Sequence, residues 1–216
     1  MLVACWAAKG GSGTTVVSVA LATVLARGST AGALLVDLDG DVPAVLGIAE
    51  PAGPGVAGWL AAGAAVPHDA LARLELAFDD GLALLPAGGD LPPDGDRGEV
   101  LAAVLAVDPR PVVVDCGTDP TGARLAVAAA AGRSLLVLRP CYLALRRALA
   151  APLRPSGVVL VDEPGRALGA DDVGAALGVP VRAVVRCEPR IARAVDAGLL
   201  ASRLPGSLVR ALGGAA

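Results

Sequence analysis

Seven residues near the start constrain this chain more than any other feature. Lys9-Gly10-Gly11-Ser12-Gly13-Thr14-Thr15 stands between the apolar run Leu2-Val3-Ala4-Cys5-Trp6 and a helical apolar pattern that begins with Val16, Val17, Val19, Ala20 and Leu21. Glycines let successive backbone N–H groups curl around an anion, and the N-terminus of the following helix adds its dipole. Strand, glycine-rich turn and helix in that order are what a phosphate-binding loop requires. The loop also holds the only lysine, because 17 of the 18 basic residues are arginine. A compact ammonium on a flexible stem is therefore placed here in a sequence that elsewhere uses the planar guanidinium.

Short apolar runs bounded by turn residues alternate with Ala/Leu-rich helical stretches through the rest of the chain, the pattern of an α/β fold with a mostly parallel sheet flanked by helices on both faces. Strands are expected at 2–7, 33–37, 82–86, 111–115, 134–139, 156–161 and 180–185. Helices are expected at 14–27, 97–107, 119–131, 142–151, 169–177, 189–199 and 205–212. The stretch 48–69 reads as a loop carrying a small helix near Trp59, and 87–98, rich in Gly, Pro and Asp, reads as an exposed turn. A chain of 216 residues with 55% hydrophobic side chains is long enough for one sizeable core, so a single domain over 1–216 is expected.

Two strands end on acids. Leu34-Leu35-Val36-Asp37-Leu38-Asp39-Gly40-Asp41 places Asp37 and Asp39 on the same side of an extended chain, and Pro111-Val112-Val113-Val114-Asp115 closes a second apolar run. Carboxylates at the carboxyl edge of a parallel sheet can hold the waters of Mg²⁺ or orient an attacking water.

Together these elements resemble the ParA/MinD family of P-loop ATPases with a deviant Walker A motif, K-G-G-x-G-K-[ST]. Lys9 matches the signature lysine of that motif and Thr15 its Mg²⁺-ligating hydroxyl; Gly10, Gly11, Ser12 and Gly13 form the cradle. Thr14 stands where the family has its P-loop lysine, a departure similar to the CpaE/TadZ branch of pilus and secretion-system positioning proteins. The resemblance implies that ATP or ADP is bound with Mg²⁺, that Asp39 positions the hydrolytic water, and that Asp37 and Asp115 lie at the metal. It also implies a homodimer in which each Lys9 reaches the partner's phosphates. Asp41 replaces part of the usual D-P-Q continuation. The asparagine that often reads adenine is replaced by Val161-Asp162, and Arg186 stands where a proline is usual, so base specificity stays open.

Losing a charged hydrogen bond at position 14 weakens phosphate binding by roughly 1.5–3 kcal/mol, about one to two decades of affinity. Binding survives such a loss. Turnover depends more steeply on neutralising the transferring phosphoryl group. Two functions are therefore carried forward: an ATP-dependent dimeric spatial organiser with weak Mg²⁺-dependent ATPase activity, and a degenerate pseudo-ATPase that acts as an interaction scaffold.

Composition narrows the partners. Residues 1–138 carry 7 basic and 15 acidic side chains, and residues 139–216 carry 11 and 6. Arg146, Arg147, Arg182, Arg186, Arg190 and Arg193 lie in the positive part, where solvated helix faces are preferred over a nonspecific DNA surface. A protein partner is expected but cannot be named from residues. Cys5, Cys116, Cys141 and Cys187 form no C-x-x-C pair, which argues against a zinc site or disulfide framework and for a cytoplasmic location. There is no signal-like start, and the tail Ser207–Ala216 has one charge, so no direct membrane anchor is expected. His68, the single histidine, reads as a surface residue, and no Ser–His–Asp arrangement can be argued.

Overall fold

The computed structural model describes residues 1–63, 66–67, 69–78, 81–92 and 97–215; His68 lies outside them. The chain runs β1 (Leu2–Ala7), α1 (Thr14–Gly28), β2 (Ala33–Asp37), α2 (Val42–Leu46), α3 (Gly55–Ala61), a 3-10 turn (Ala72–Leu74), β3 (Leu76–Ala77) and β4 (Leu82–Leu85). It continues with α4 (Gly98–Ala106), β5 (Val112–Thr118), α5 (Gly122–Ala130), β6 (Arg133–Leu138), α6 (Tyr142–Ala150), β7 (Gly157–Asp162), α7 (Ala170–Leu177), β8 (Val181–Arg186), α8 (Pro189–Asp196) and α9 (Gly206–Leu212).

Among the described residues eight strands form one sheet in the order β3-β4-β2-β5-β1-β6-β7-β8. All neighbours are parallel except β3, which pairs antiparallel with β4. Every residue of β1 and β2 is buried. Strands covered on both faces cannot alternate apolar with polar, hence the unbroken apolar runs that mark them in the sequence. β8 is different: Arg182, Val184 and Arg186 are exposed while Ala183 and Val185 are buried. It is the sheet's edge, and charged side chains there discourage pairing with another chain.

Side-chain alternation sorts the core into two layers. Ala4, Trp6, Val36, Val114 and Leu136 pack with residues of α3, α4, α5, α6 and α7 on one face. Val3, Cys5, Leu35, Val113 and Leu135 pack with α1, α2 and α9 on the other, with Ile191, Ala194 and Val195 of α8 at the margin. The chain leaves β1 toward β2 on one side and later builds β6, β7 and β8 on the other. The carboxyl end of β1 is thus the point where strand order reverses, the place where open α/β sheets hold ligands.

Three of the differences from the expectations above have a local physical reason. The strand expected to end at Asp115 continues to Thr118, so Asp115 is enclosed within β5. The stretch from 87 does not begin as an exposed turn: Ala87 is buried, and Ala87 and Pro86 accept hydrogen bonds from Ala57 and Val56 at the start of α3. The helix expected from 119 starts at Gly122, because Asp119 takes a left-handed backbone (φ 46°) and donates its N–H to Ala7.

Candidate nucleotide-binding site

The glycine loop joins β1 to α1 as its composition requires. Gly11 and Gly13 adopt φ of 74° and 88°, a left-handed region costly for other residues, and Gly13 delivers the chain directly into the first turn of α1. The Ser12 hydroxyl donates to the Lys9 carbonyl at 2.7 Å and closes the turn. A Cβ built on Gly10, Gly11 or Gly13 meets nothing within 4 Å. The concave side of the loop is therefore open space bordered by backbone, room of the kind a phosphate chain takes.

That space is a cavity of about 300 Å³ lined by Gly11, Ser12, Gly13, Thr14, Thr15 and Val16 from the loop and α1, by Asp39, Asp41, Ala44 and Val45 from the β2–α2 region, and by Gly117 and Thr118 from β5. The Lys9 ammonium lies 3.4 Å from its neighbour's carbonyl, that of Gly10, and is not among the lining groups. Thr14 is buried and brings a hydroxyl where the family resemblance would place a cation.

The three carboxylates play different parts. Asp37 and Asp115 are partners in the β2–β5 register, so they sit side by side on the same face of the sheet, both fully buried. Asp37 is a clasp: Oδ1 accepts N–H groups from Asp39 (3.0 Å) and Gly40 (2.7 Å), and Oδ2 accepts Val42 N–H (3.2 Å). Burial raises its pKa, and the three N–H donors pull it back. This clasp ends β2, bends the chain and fixes where Asp39 begins.

Asp115 is less well satisfied. Its Oδ1 accepts Gly117 N–H at 3.2 Å, while Oδ2 has no hydrogen-bond partner among the described residues. Burial pushes its pKa up to about 7, the neighbouring Thr15 hydroxyl lowers it, and the charge of Asp37 raises it again. A buried oxygen without a partner, next to a threonine hydroxyl and a second carboxylate, suits a hydrated cation. Among the described residues no group of three or more His, Cys, Asp or Glu is arranged to hold a metal ion by itself.

Asp39 does not continue the strand beside Asp37. Its carboxylate lies over the backbone of Gly117 and accepts a hydrogen bond from Arg124 Nη1 at 2.7 Å. Sequence reasoning missed both Gly117 and Arg124. The apolar strand-acid signal stops at Asp115, and a pairing of residues 85 apart leaves no local trace.

A second cavity, about 460 Å³, adjoins the first at Gly13 and Val16. Its walls are mainly apolar: Val17, Val161, Val185, Ile191 and Val195, with Arg139, Arg186 and Glu188 at the border. Arg139 is paired with Glu163 at 2.7 Å. A glycine-loop cavity beside an apolar slot offers the two kinds of surface a nucleotide has, one for phosphates and one for a base. The four cysteines are free, Cys5 and Cys116 being buried and Cys141 and Cys187 partly so.

A glycine-rich loop at the switch point of a parallel sheet, with one buried acid ending β2 and a second beside it within β5, is the arrangement of the P-loop fold. More particularly, the fold is that of the ParA/MinD ATPases. The ParA family ATPase of Chlorobium tepidum superposes with a TM-score of 0.76 over 97% of this chain and 95% of its own, at 17% identity. The MinD cell division protein of Aquifex aeolicus gives 0.76 over 98% and 95%, at 18% identity. MinD of Pyrococcus horikoshii, in complex with Mg-ADP, gives 0.74 over 98% and 93%, at 19% identity. No protein-family model and no curated protein matches the sequence.

Proposed function

We propose that this protein is an ATP-dependent spatial organiser of the ParA/MinD type that binds ATP or ADP with Mg²⁺ and works as a homodimer. One observation carries the reading: the cavity at the glycine loop adjoins the apolar slot at Gly13 and Val16, and behind its Gly117 wall lies a carboxylate with a buried oxygen unsatisfied. Backbone N–H groups of Gly10–Thr15 and the α1 dipole hold the phosphates. The Thr15 hydroxyl, Asp115 and the charge of Asp37 would hold Mg²⁺ through its waters, and Asp39 would place a water for attack. Bound ATP would supply the phosphoryl group, and Mg²⁺ held there would neutralise part of its charge.

The deviant Walker A reading of Lys9, with Thr14 at the P-loop lysine position, sets this chain beside the CpaE/TadZ branch and implies slow turnover. Lys9, absent from the wall of its own cavity, completes the partner's phosphate site. The cell-division role of the Aquifex protein supports a positioning function. The six late arginines are all exposed, and Arg190 is paired with Glu188, which supports solvated surface over DNA. Among the described residues no helix is long and apolar enough to cross a membrane. We place the protein in the cytoplasm with a protein partner.

Calorimetry with ATP and ADP in the presence of Mg²⁺ tests binding, and phosphate release compared with Asp39→Ala tests turnover. Binding in the micromolar-to-millimolar range with slow, Asp39-dependent release is expected. Absence of heat with either nucleotide overturns the reading; binding without release moves the protein to the scaffold role.

A further inference from the structure

The geometry points to Arg124 as the cation that meets the terminal phosphate of a bound triphosphate, supplying from α5 the charge that residue 14 lacks. The inference rests on the nucleotide reading above and adds to it a residue outside the glycine loop.

Four observations converge on this arginine. Its guanidinium donates through Nη1 to Asp39 Oδ1 at 2.7 Å, and Asp39 is a wall of the phosphate cavity, so the positive charge stands one hydrogen bond behind that wall. The other guanidinium N–H groups have no partner among the described residues. A planar fork with five donors can hold a carboxylate with one arm and a phosphate oxygen with another.

The position is also unfavourable for an arginine on local grounds. Arg124 is the third residue of α5, whose first turn contains no acid. A cation at a helix N-terminus opposes the dipole, so helix formation does not explain its presence. Its backbone is nonetheless fixed tightly: a Cβ on Gly98 would come within 2.7 Å of Ala123 Cα, which marks how closely α4 and α5 approach just beside it.

Finally, the other cations near the site are otherwise placed. The Lys9 ammonium, which like Arg124 is not on the cavity wall, lies on the Gly10 carbonyl with no contact to a wall carboxylate among the described residues, and Arg139 borders the apolar slot, held by Glu163. Asp39 and a terminal phosphate would then share one guanidinium. The charge that draws the phosphate in also fixes the carboxylate that orients water.

The test is equilibrium binding of ADP and of a non-hydrolysable ATP analogue, both with Mg²⁺, to the full chain. Wild type is compared with Arg124→Gln, Arg124→Lys and Asp39→Asn, each checked for folding by circular dichroism. Arg124→Gln should weaken the triphosphate by about tenfold to a hundredfold, as loss of a charged hydrogen bond does, and leave ADP nearly unchanged. Arg124→Lys should keep part of the discrimination. Asp39→Asn, which removes a negative charge from the cavity wall and keeps an oxygen that accepts from Arg124, should tighten the triphosphate more than ADP. Equal losses for both nucleotides, or no loss for either, overturn the role of Arg124 while the nucleotide site stands. If Arg124→Gln fails to fold, Arg124→Lys and Asp39→Asn decide the matter by the same comparison. Wild type binding neither nucleotide overturns the site and the inference together.

Discussion

The carboxylate of Asp39 rests on the backbone of Gly117 so closely that a Cβ there would overlap the Asp39 carboxyl group. Gly117 also has φ 63°, so its replacement is strained twice, by contact and by backbone. Gly117→Ala should expel the Asp39 side chain, break its pair with Arg124 and cost about 1–3 kcal/mol, as forced overpacking usually does. Denaturant unfolding measures it. Gly10→Ala is the control, because a Cβ at Gly10 meets nothing within 4 Å. It should change stability by less than about 0.5 kcal/mol.

Asp115 makes stability depend on pH in an unusual direction. Its folded pKa is about 7 against an ordinary 3.8, chiefly through burial. The folded state therefore holds this proton more tightly than the unfolded chain does. Its contribution is fully present below the unfolded value and is lost as pH rises through the folded one. A tenfold difference in proton affinity is worth about 1.4 kcal/mol, so the nucleotide-free protein should gain up to a few kcal/mol between neutral and mildly acidic pH. Asp115→Asn should flatten that part of the profile in thermal or urea unfolding. Mg²⁺ needs the ionised form, so Mg-nucleotide affinity should move the other way and rise with pH across neutrality.

Thr15 lines the phosphate cavity and its hydroxyl lowers the pKa of Asp115. Thr15→Ala removes a ligand for the metal and a stabiliser of the adjacent carboxylate together. Calorimetric titration should show Mg²⁺-dependent nucleotide binding weakened by about tenfold or more, with the Mg²⁺-free titration far less affected. Equal weakening with and without Mg²⁺ would assign Thr15 to the cradle alone.

Lys9 lies outside the wall of its own cavity, and dimerisation and nucleotide occupancy become linked if each lysine serves the partner's phosphates. The mass in solution, with and without ATP and Mg²⁺, is the measurement. Wild type should dimerise with nucleotide, Lys9→Ala should stay a folded monomer, and Lys9→Arg should also fail because a guanidinium spreads its charge over a planar fork where an ammonium is a compact point charge. A wild type that stays monomeric at saturating nucleotide, or a Lys9→Ala variant that dimerises equally well, removes the sandwich mechanism.

Much of the architecture was legible because its strands are buried on both faces and announce themselves as apolar runs. β1 and β2 fall at 2–7 and 33–37 as their composition implies. What escaped was short or exposed. β3 is two exposed residues, Leu76 and Ala77, held only by pairing with β4. α2 is five residues with Pro43 in its first turn, too brief to show periodicity. At the site, glycine and acid spacing marked the loop, Asp37, Asp39 and Asp115. The division of labour among the acids was not legible, since it depends on which oxygens find donors after β2 and β5 lie side by side. The strand continuing past Asp115 hid Gly117 for the same reason: only the packed sheet brings it beneath Asp39.

Because the phosphate loop carries the single lysine of the chain, chemistry directed at ε-amines addresses that loop and nothing else in the sequence. A lysine-specific protease has one cleavage position, after Lys9, in the turn that Ser12 closes on the Lys9 carbonyl. The rate of that one cut measures how often the turn opens. Acylation of the same amine would erase the positive charge at the loop in a single step, without touching any of the 17 arginines.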